Sequence, residues 1–325
     1  MRIESPNRRR TLGLLGAMCV GSTTSVAQTS IVKPMRLVAS ASPGSGVDSF
    51  GRILANALAE AGITAAVDNR AGAGGTLAIR AVHAAEPDGL TVLVNSSAHV
   101  VTPAMYPDLG IDVLRDFSGV TPIAVLPNVL VISAQSKWTK LADLVSDARA
   151  RPGDYTFGSA GMGTATHLSG ERFRVRTGIN ALHAPYKGSN EAVTDVIAGR
   201  LDWMFAPLST ALPLIRDGRL RALAIGNPQR SAQLSNVPTV GEAGWPGADF
   251  IFWVGLFVPA KTPRTVVTRL QAMVVRVLDS PAVRQKFESL GAAPFLMEPE
   301  AFDAFLRKEV ALTTELVKVA GIQRS

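Results

Sequence analysis

Cysteine is nearly missing from this chain of 325 residues: Cys19 is the only one, and it falls in a leader-like segment. A mature chain without it has no disulfide, no thiol nucleophile and no cysteine-based metal site. Histidine is almost as scarce. The four (His83, His99, His167, His183) stand apart, with none of the His-x-x-x-His or His-Glu spacings that bind zinc. Lys and Arg are scattered rather than clustered with aromatics, which argues against nucleic acid as a partner. After the leader no apolar run approaches the roughly 20 residues a membrane-spanning helix needs. Low-complexity tracts and solenoid-period repeats are also missing. With 47% hydrophobic and 18% charged residues, there is ample apolar material for a core, and the length suggests two domains.

Residues 1–27 read as an export signal. Arg8-Arg9-Arg10 precedes an uncharged run, and Ser25-Val26-Ala27 offers small residues for cleavage. The paired arginines ahead of Leu12 resemble a twin-arginine leader, although Thr11 departs from that pattern and general secretion stays open. Met18 is a poor residue before a lipidated cysteine, so cleavage after Ala27 is preferred to a lipid anchor. Loss of the leader removes four arginines and one glutamate, lowering the formal net charge from +7 to +4.

Beyond the leader, short apolar runs alternate with helical periodicity. Strands are expected at 36–40, 65–67 and 90–95, with a helix carried by Val47, Phe50, Ile53, Leu54, Ala57, Leu58 and Ala61 and a second over 76–85. The same alternation restarts after Pro127. Strands are expected at 128–133, 155–158, 181–184, 201–206, 220–225 and 249–258, with helices at 141–150, 166–176, 190–198, 263–278 and 300–320. This grammar predicts an α/β fold with mainly parallel sheets. An apolar strand at each changeover suggests that the chain crosses between domains near 128 and returns near 255. The expected layout is a first domain from 28–127 and 256–325, with 128–255 inserted as a second. Two crossing strands leave a cleft between the domains, where ligands of open α/β sheets bind.

Three loops should face that cleft: Ser42-Pro43-Gly44-Ser45-Gly46-Val47-Asp48, the run 158–164, and 185–190. Each precedes a helix start, whose free N–H groups and positive dipole end favour an anion. The plain alternative is that these glycines only permit left-handed turns. Asp48 is either a first-turn capping acid or an acceptor for a ligand group or water. Ser159 and Thr164 are capping residues that could also donate to a carboxylate, and Tyr186 could wall a pocket. By position His167 and Asp202 read as structural residues; both are kept as candidate contacts. Enzyme motifs fit poorly. Gly44-Ser45-Gly46 lacks the third glycine of a dinucleotide fingerprint because Ser49 stands there, and Gly158-Ser159-Ala160-Gly161 is not Gly-x-Ser-x-Gly.

Pro43-Gly44 with Asp48, Asp68-Asn69-Arg70-Ala71-Gly72-Ala73-Gly74-Gly75, Pro87-Asp88-Gly89, the run 158–164 with His167, and His183-Ala184-Pro185-Tyr186-Lys187-Gly188 occur in that order, followed by Trp253-Val254-Gly255. Together they resemble the periplasmic substrate-binding proteins of tripartite tricarboxylate transporters, the Bug family, over essentially the whole mature chain. The resemblance implies a two-domain Venus-flytrap protein of the type II kind that closes on a small organic carboxylate without chemical turnover or cofactor. One jaw would hold Pro43, Gly44, Ser45 and Asp48, with Ser96 or Ser97 beside it. The other would hold Ser159, Ala160, Gly163, Thr164, His167 and Tyr186. Periplasmic location, a monomer, and delivery to a permease of one large and one small membrane subunit are expected.

The chain departs from the family at Ser45, usually glycine, and at Ala41, usually aromatic. A ring lost at Ala41 should leave room for a ligand bulkier than aspartate or a small dicarboxylate. A secreted α/β enzyme acting on a small acid, or a sensor that docks on a receptor, is the alternative reading.

Overall fold

The computed structural model describes residues 33–322. The expected leader, with Cys19, lies outside the described residues. β1 (Met35–Ala39) leads into α1 (Gly46–Glu60), β2 (Ala65–Asn69), α2 (Thr76–His83), β3 (Thr91–Ser96), α3 (Ala98–Met105) and β4 (Phe117–Leu126). Pro127 alone then separates β4 from β5 (Asn128–Ser133), which opens a second run: α4 (Leu141–Ala150), β6 (Tyr155–Ser159), α5 (Ala165–Thr177), β7 (Ala181–Pro185), α6 (Ser189–Ile197), β8 (Trp203–Pro207), α7 (Leu208–Arg216) and β9 (Leu220–Ile225). The chain ends with β10 (Phe252–Pro259), α8 (Arg264–Leu278), α9 (Pro281–Ser289), the two-residue β11 (Ala293–Pro294) and α10 (Pro299–Val319).

The strands form two sheets, ordered β11-β4-β10-β3-β1-β2 and β7-β6-β8-β5-β9, and each defines a lobe. Both sheets are mixed, which corrects the expectation of mainly parallel ones. β1 runs parallel to β2 and β3, and β6 parallel to β7 and β8. β10 is antiparallel to β3 and β4, and β5 antiparallel to β8 and β9. The reason is the route of the chain. β5 and β10 each enter from the other sheet at the end where their neighbours finish, so they must run back against them. Asn128 pairs with Pro207 at the end of β8, and Phe252 with Leu126 at the end of β4. All eight residues of β10 pair within the first sheet, so the chain has returned by Phe252, and a boundary between 255 and 256 would cut this strand.

Helices cover both faces of each sheet because their apolar residues recur at helical spacing. On α1, Phe50, Leu54 and Leu58 are fully buried under β1 and β3, with Phe50 edge-on to Phe287 of α9 at 5.0 Å. In the second lobe Phe157, Phe173, Trp203 and Phe205 form an aromatic core. A smaller cluster joins the lobes: Val101, Ala104 and Met105 of α3 meet Ala165 and Leu168 of α5 and Leu316 and Val317 of α10. The two crossings are stitched together where Gly226 N–H donates to Asn128 O at 2.7 Å and Phe250 N–H to Gly226 O at 2.9 Å.

Candidate functional site

The loop between β1 and α1 is built around Asp48. Ser45 caps α1, its hydroxyl accepting from Asp48 N–H at 3.3 Å, while Asp48 Oδ2 accepts from Gly44 N–H at 2.8 Å and from Arg52 Nε at 3.0 Å. Asp48 Oδ1 accepts from Asn69 Nδ2 at 2.9 Å, and the same amide donates to Ala41 O at 3.0 Å. Burial alone would raise the Asp48 carboxyl, but the bonds from Arg52, Gly44 and Asn69 outweigh it and hold it below its ordinary value. With both oxygens engaged, Asp48 shapes the loop rather than presenting a free acceptor. Gly44 supplies the positive φ of +81° that the turn requires. Ser45 N–H closes the turn on Ser42 O at 3.1 Å.

Beside this loop, the end of β3 forms a second turn. Ser96 N–H donates to Asn95 Oδ1 at 2.8 Å, and Ser96 Oγ accepts from Ala98 N–H at 3.2 Å. Ser97 N–H is taken by Trp253 O at 2.9 Å, yet its fully buried hydroxyl has no hydrogen-bond partner among the described residues. Of the two serines it is therefore Ser97 that retains an unused polar atom.

The glycine-rich loop between β6 and α5 is equally self-satisfied. Ala160 N–H donates to Thr166 Oγ1 at 2.9 Å, Gly161 N–H to Ser159 Oγ at 3.1 Å, and Gly163 N–H to His167 Nδ1 at 3.1 Å. Thr164 caps α5, with its hydroxyl on Gly161 O at 2.7 Å. The Ser159 hydroxyl also lies 2.7 Å from His183 Nε2, and the His183 ring stacks on His167 and on Phe157, itself stacked on Trp203. Ser159 is wholly buried, which suits a loop pin and not a nucleophile.

Backbone donors that the sequence points to at Gly44, Ser45, Ala160 and Gly163 are thus spent inside their own loops. A helix leaves its first-turn N–H groups without an acceptor in the helix. Those donors here belong to Gly46 and Val47 of α1 and to Ala165 and Thr166 of α5. The sequence signal for them was the capping residue immediately before each helix. A side chain on Gly46 would sit 3.8 Å from Phe252, and Phe252 packs against the inter-lobe cluster to which Ala165 and Leu168 belong. A side chain on Gly163 would come within 4.0 Å of Met105, so the glycine-rich loop abuts α3 across the lobes.

Two candidates behave differently. Tyr186 N–H donates to Ser159 O at 3.0 Å and its hydroxyl to Asp195 Oδ2 at 2.6 Å, where Arg200 also pairs with Asp195. Tyr186 therefore borders the loop with its hydroxyl directed at α6. Asp202 is not brought to the loops at all. Its carboxylate accepts from Thr156 N–H at 2.7 Å and Thr156 Oγ1 at 3.0 Å, pinning the start of β6, three residues back from Ser159. Among the described residues no group of three metal-ligating side chains occurs, and no helix is long and apolar enough to cross a membrane.

Two mixed α/β sheets joined at adjacent crossings, with capped helix starts gathered at the join, define a two-lobed solute-binding protein. Residues 50–322 match the family described as "Tripartite tricarboxylate transporter family receptor", and the chain belongs to that family. It is 37% identical over 314 residues to the UPF0065 protein in the tcbD-tcbE intergenic region of Pseudomonas sp. (strain P51), covering 95% of this chain and 94% of that one. Among solved structures it resembles R. palustris Rpa4515 with adipate, with a TM-score of 0.80, 32% identity, and coverage of 90% of this chain and 98% of the other. MatC from Rhodopseudomonas palustris with bound malate gives a TM-score of 0.76 at 28% identity, covering 88% and 99%. The chain is accordingly a periplasmic receptor and not an enzyme.

Proposed function

We propose that this protein captures a small organic carboxylate between its lobes and hands it to the membrane subunits of a tripartite transporter. The observation that carries the reading is a pair of capped helix starts, α1 beside Phe252 and α5 in the inter-lobe cluster against which Phe252 packs, in a fold whose relatives hold adipate and malate. Paired first-turn N–H groups and dipole ends suit a carboxylate without a charged side chain. The Ser97 hydroxyl is a further donor to the same ligand or to a bridging water. Pro43, Ser45, Ser159, Thr164 and Tyr186 border the site, and Ala41, half-buried, brings no aromatic ring to the first jaw, which supports a ligand bulkier than aspartate.

The lobes act as two domains that close about Pro127 and the segment 226–251, which is the simplest motion the two crossings permit. The protein works as a monomer exported by the twin-arginine or general route. Thermal-shift screening tests the ligand class. Adipate-sized and bulkier diacids should raise the melting temperature more than aspartate or succinate, with about 2.7 kcal/mol of stabilisation at a hundredfold excess over Kd. No shift with any carboxylate would refute the reading; a shift only with aspartate- or succinate-sized acids would refute the roomy pocket.

A further inference from the structure

The glycine-rich turn of the second lobe is linked to the first lobe by a series of polar side chains along one face of α5, hydrogen-bonded at both ends and in looser contact, 3.7 Å, between His167 and Glu171. Gly163 N–H donates to His167 Nδ1 at 3.1 Å, which assigns the proton of the neutral ring to Nε2. That nitrogen faces Glu171 Oε1 at 3.7 Å, one helical turn on. Glu171 Oε2 accepts from Arg174 Nε at 2.8 Å, and Arg174 Nη2 reaches across the lobes to donate to Ala320 O at 2.9 Å, at the end of α10. The His167 and Glu171 side chains are 1% and 7% exposed and Arg174 23%, so the run is largely shielded from water.

Packing alone does not require these residues. Apolar side chains would fill the same space without the cost of desolvating a carboxylate and a guanidinium. Burial works to raise the Glu171 carboxyl, but its contacts to His167 and Arg174 prevail and hold it below its ordinary value, as an ionised link requires. Ala320 O is one of the carbonyls a helix leaves unpaired at its negative end, which favours a cationic donor from the opposite lobe. Around the run, the apolar seam of Met105, Leu168 and Leu316 supplies adhesion between lobes but no means of sensing the shape of the loop.

We propose that His167, Glu171 and Arg174 are positioning residues that couple the 161–164 turn to lobe closure. Their side chains need not touch the ligand. They hold Gly163, and through it the start of α5, in its present geometry when Arg174 is bonded to Ala320. Opening the lobes removes that bond, frees Arg174 and Glu171, and loosens the hold of His167 on Gly163. Ligand and closure then favour each other by one and the same coupling free energy. The role in ligand retention rests on the carboxylate-binding reading above, whereas the link from Arg174 to Gly163 stands without it.

The experiment has two arms on the full-length mature protein. In the ligand-free arm, ¹⁵N-labelled wild type, Arg174→Ala and Arg174→Lys are compared for the chemical shift and hydrogen exchange of the Gly163 amide. Arg174→Ala should shift this resonance and speed its exchange at least tenfold, and Arg174→Lys, which keeps the charge but not the fork, should fall between. If Arg174→Ala does not fold, Arg174→Lys alone decides by the same readout. An unchanged Gly163 amide overturns the coupling. In the second arm adipate is the probe: Arg174→Ala should raise koff about tenfold with little change in kon, and its effect should be less than additive with His167→Asn. Additive effects, or wild-type koff in Arg174→Ala, overturn the retention role. Failure of wild type to bind adipate or any other diacid would sink the carboxylate reading, while the response of the Gly163 amide would still decide the coupling.

Discussion

His167 and His183 lie face to face, with ring centroids 4.0 Å apart and planes inclined by 23°. Two imidazoles so placed cannot both carry a proton without strong repulsion. Burial, with the neighbouring His167, lowers His183 to about 4, and burial lowers His99 to about 3 between Phe257 and Phe117. In the unfolded chain both titrate near 6.5. As the pH falls below about 6.5 the unfolded state therefore takes up protons that the native state refuses, and stability drops. The His183 share should end near pH 4 and the His99 share near pH 3. Each group costs up to about 1.4 kcal/mol per pH unit, less for the partly exposed His183. Urea midpoints should fall steadily from pH 6.5 to 4.5, and His183→Gln should flatten the slope. A midpoint constant over that range would contradict the assignment of His183 and His99 as neutral.

Asp48 to Asn69 is the corresponding link in the first lobe, and Asp48→Asn should break part of it. The new amide would face at least one donor among Gly44 N–H, Arg52 and Asn69 Nδ2, all of which now point at a carboxylate. Leaving a buried donor opposed costs roughly 1–3 kcal/mol. Both the melting temperature and the affinity for a diacid should fall, because the loop before α1 loses its anchor. Unchanged affinity alongside a lowered melting temperature would confine Asp48 to folding.

Legibility in the sequence tracked how local each signal is. Strand and helix alternation marked β1 to β3 and β5 to β9 within a few residues, since these elements have clean apolar runs between turn residues. β4, the longest strand, escaped because Gly119 and Pro122 interrupt it; the structure absorbs them by shifting register against β10 around Gly255 and Phe257. Both α3 and α7 carry an internal proline, Pro103 and Pro213, and so lack a plain helical signature. The direction of β5 and β10 was hidden for another reason: it depends on where the chain enters a sheet, a tertiary fact. At the candidate site, glycine and capping residues marked the loops that precede α1 and α5. Which N–H groups those loops use internally depends on contacts such as Gly163 to His167 and Ala160 to Thr166.

Gly170 in α5 tests the aromatic stack of the second lobe. A Cβ at this position would lie 2.4 Å from Phe157 Cε2, and Phe157 is held between Trp203 and His183, each 4.8 Å away. Gly170→Ala gains up to about 1 kcal/mol in helix propensity. Overpacking a ring that cannot retreat costs about 1–3 kcal/mol. The net effect should be destabilising, with the near-ultraviolet circular dichroism of the stacked rings altered. A variant more stable than wild type would mean that Phe157 has space to move.

Asp202 distinguishes a residue that holds the scaffold from one that meets the ligand. Both Thr156 donors converge on its Oδ2, at the end of β6 far from Ser159 in sequence direction, so the carboxylate locks β6 to the segment before β8. Asp202→Ala leaves Thr156 N–H without its acceptor and should cost roughly 1–3 kcal/mol of stability. Its affinity for a diacid, measured by calorimetry well below the melting temperature, should stay within about twofold of wild type, because binding then samples only folded protein. A tenfold loss of affinity at unchanged stability would return Asp202 to the site and would mean that the ligand reaches deeper between β6 and β8 than the helix starts suggest.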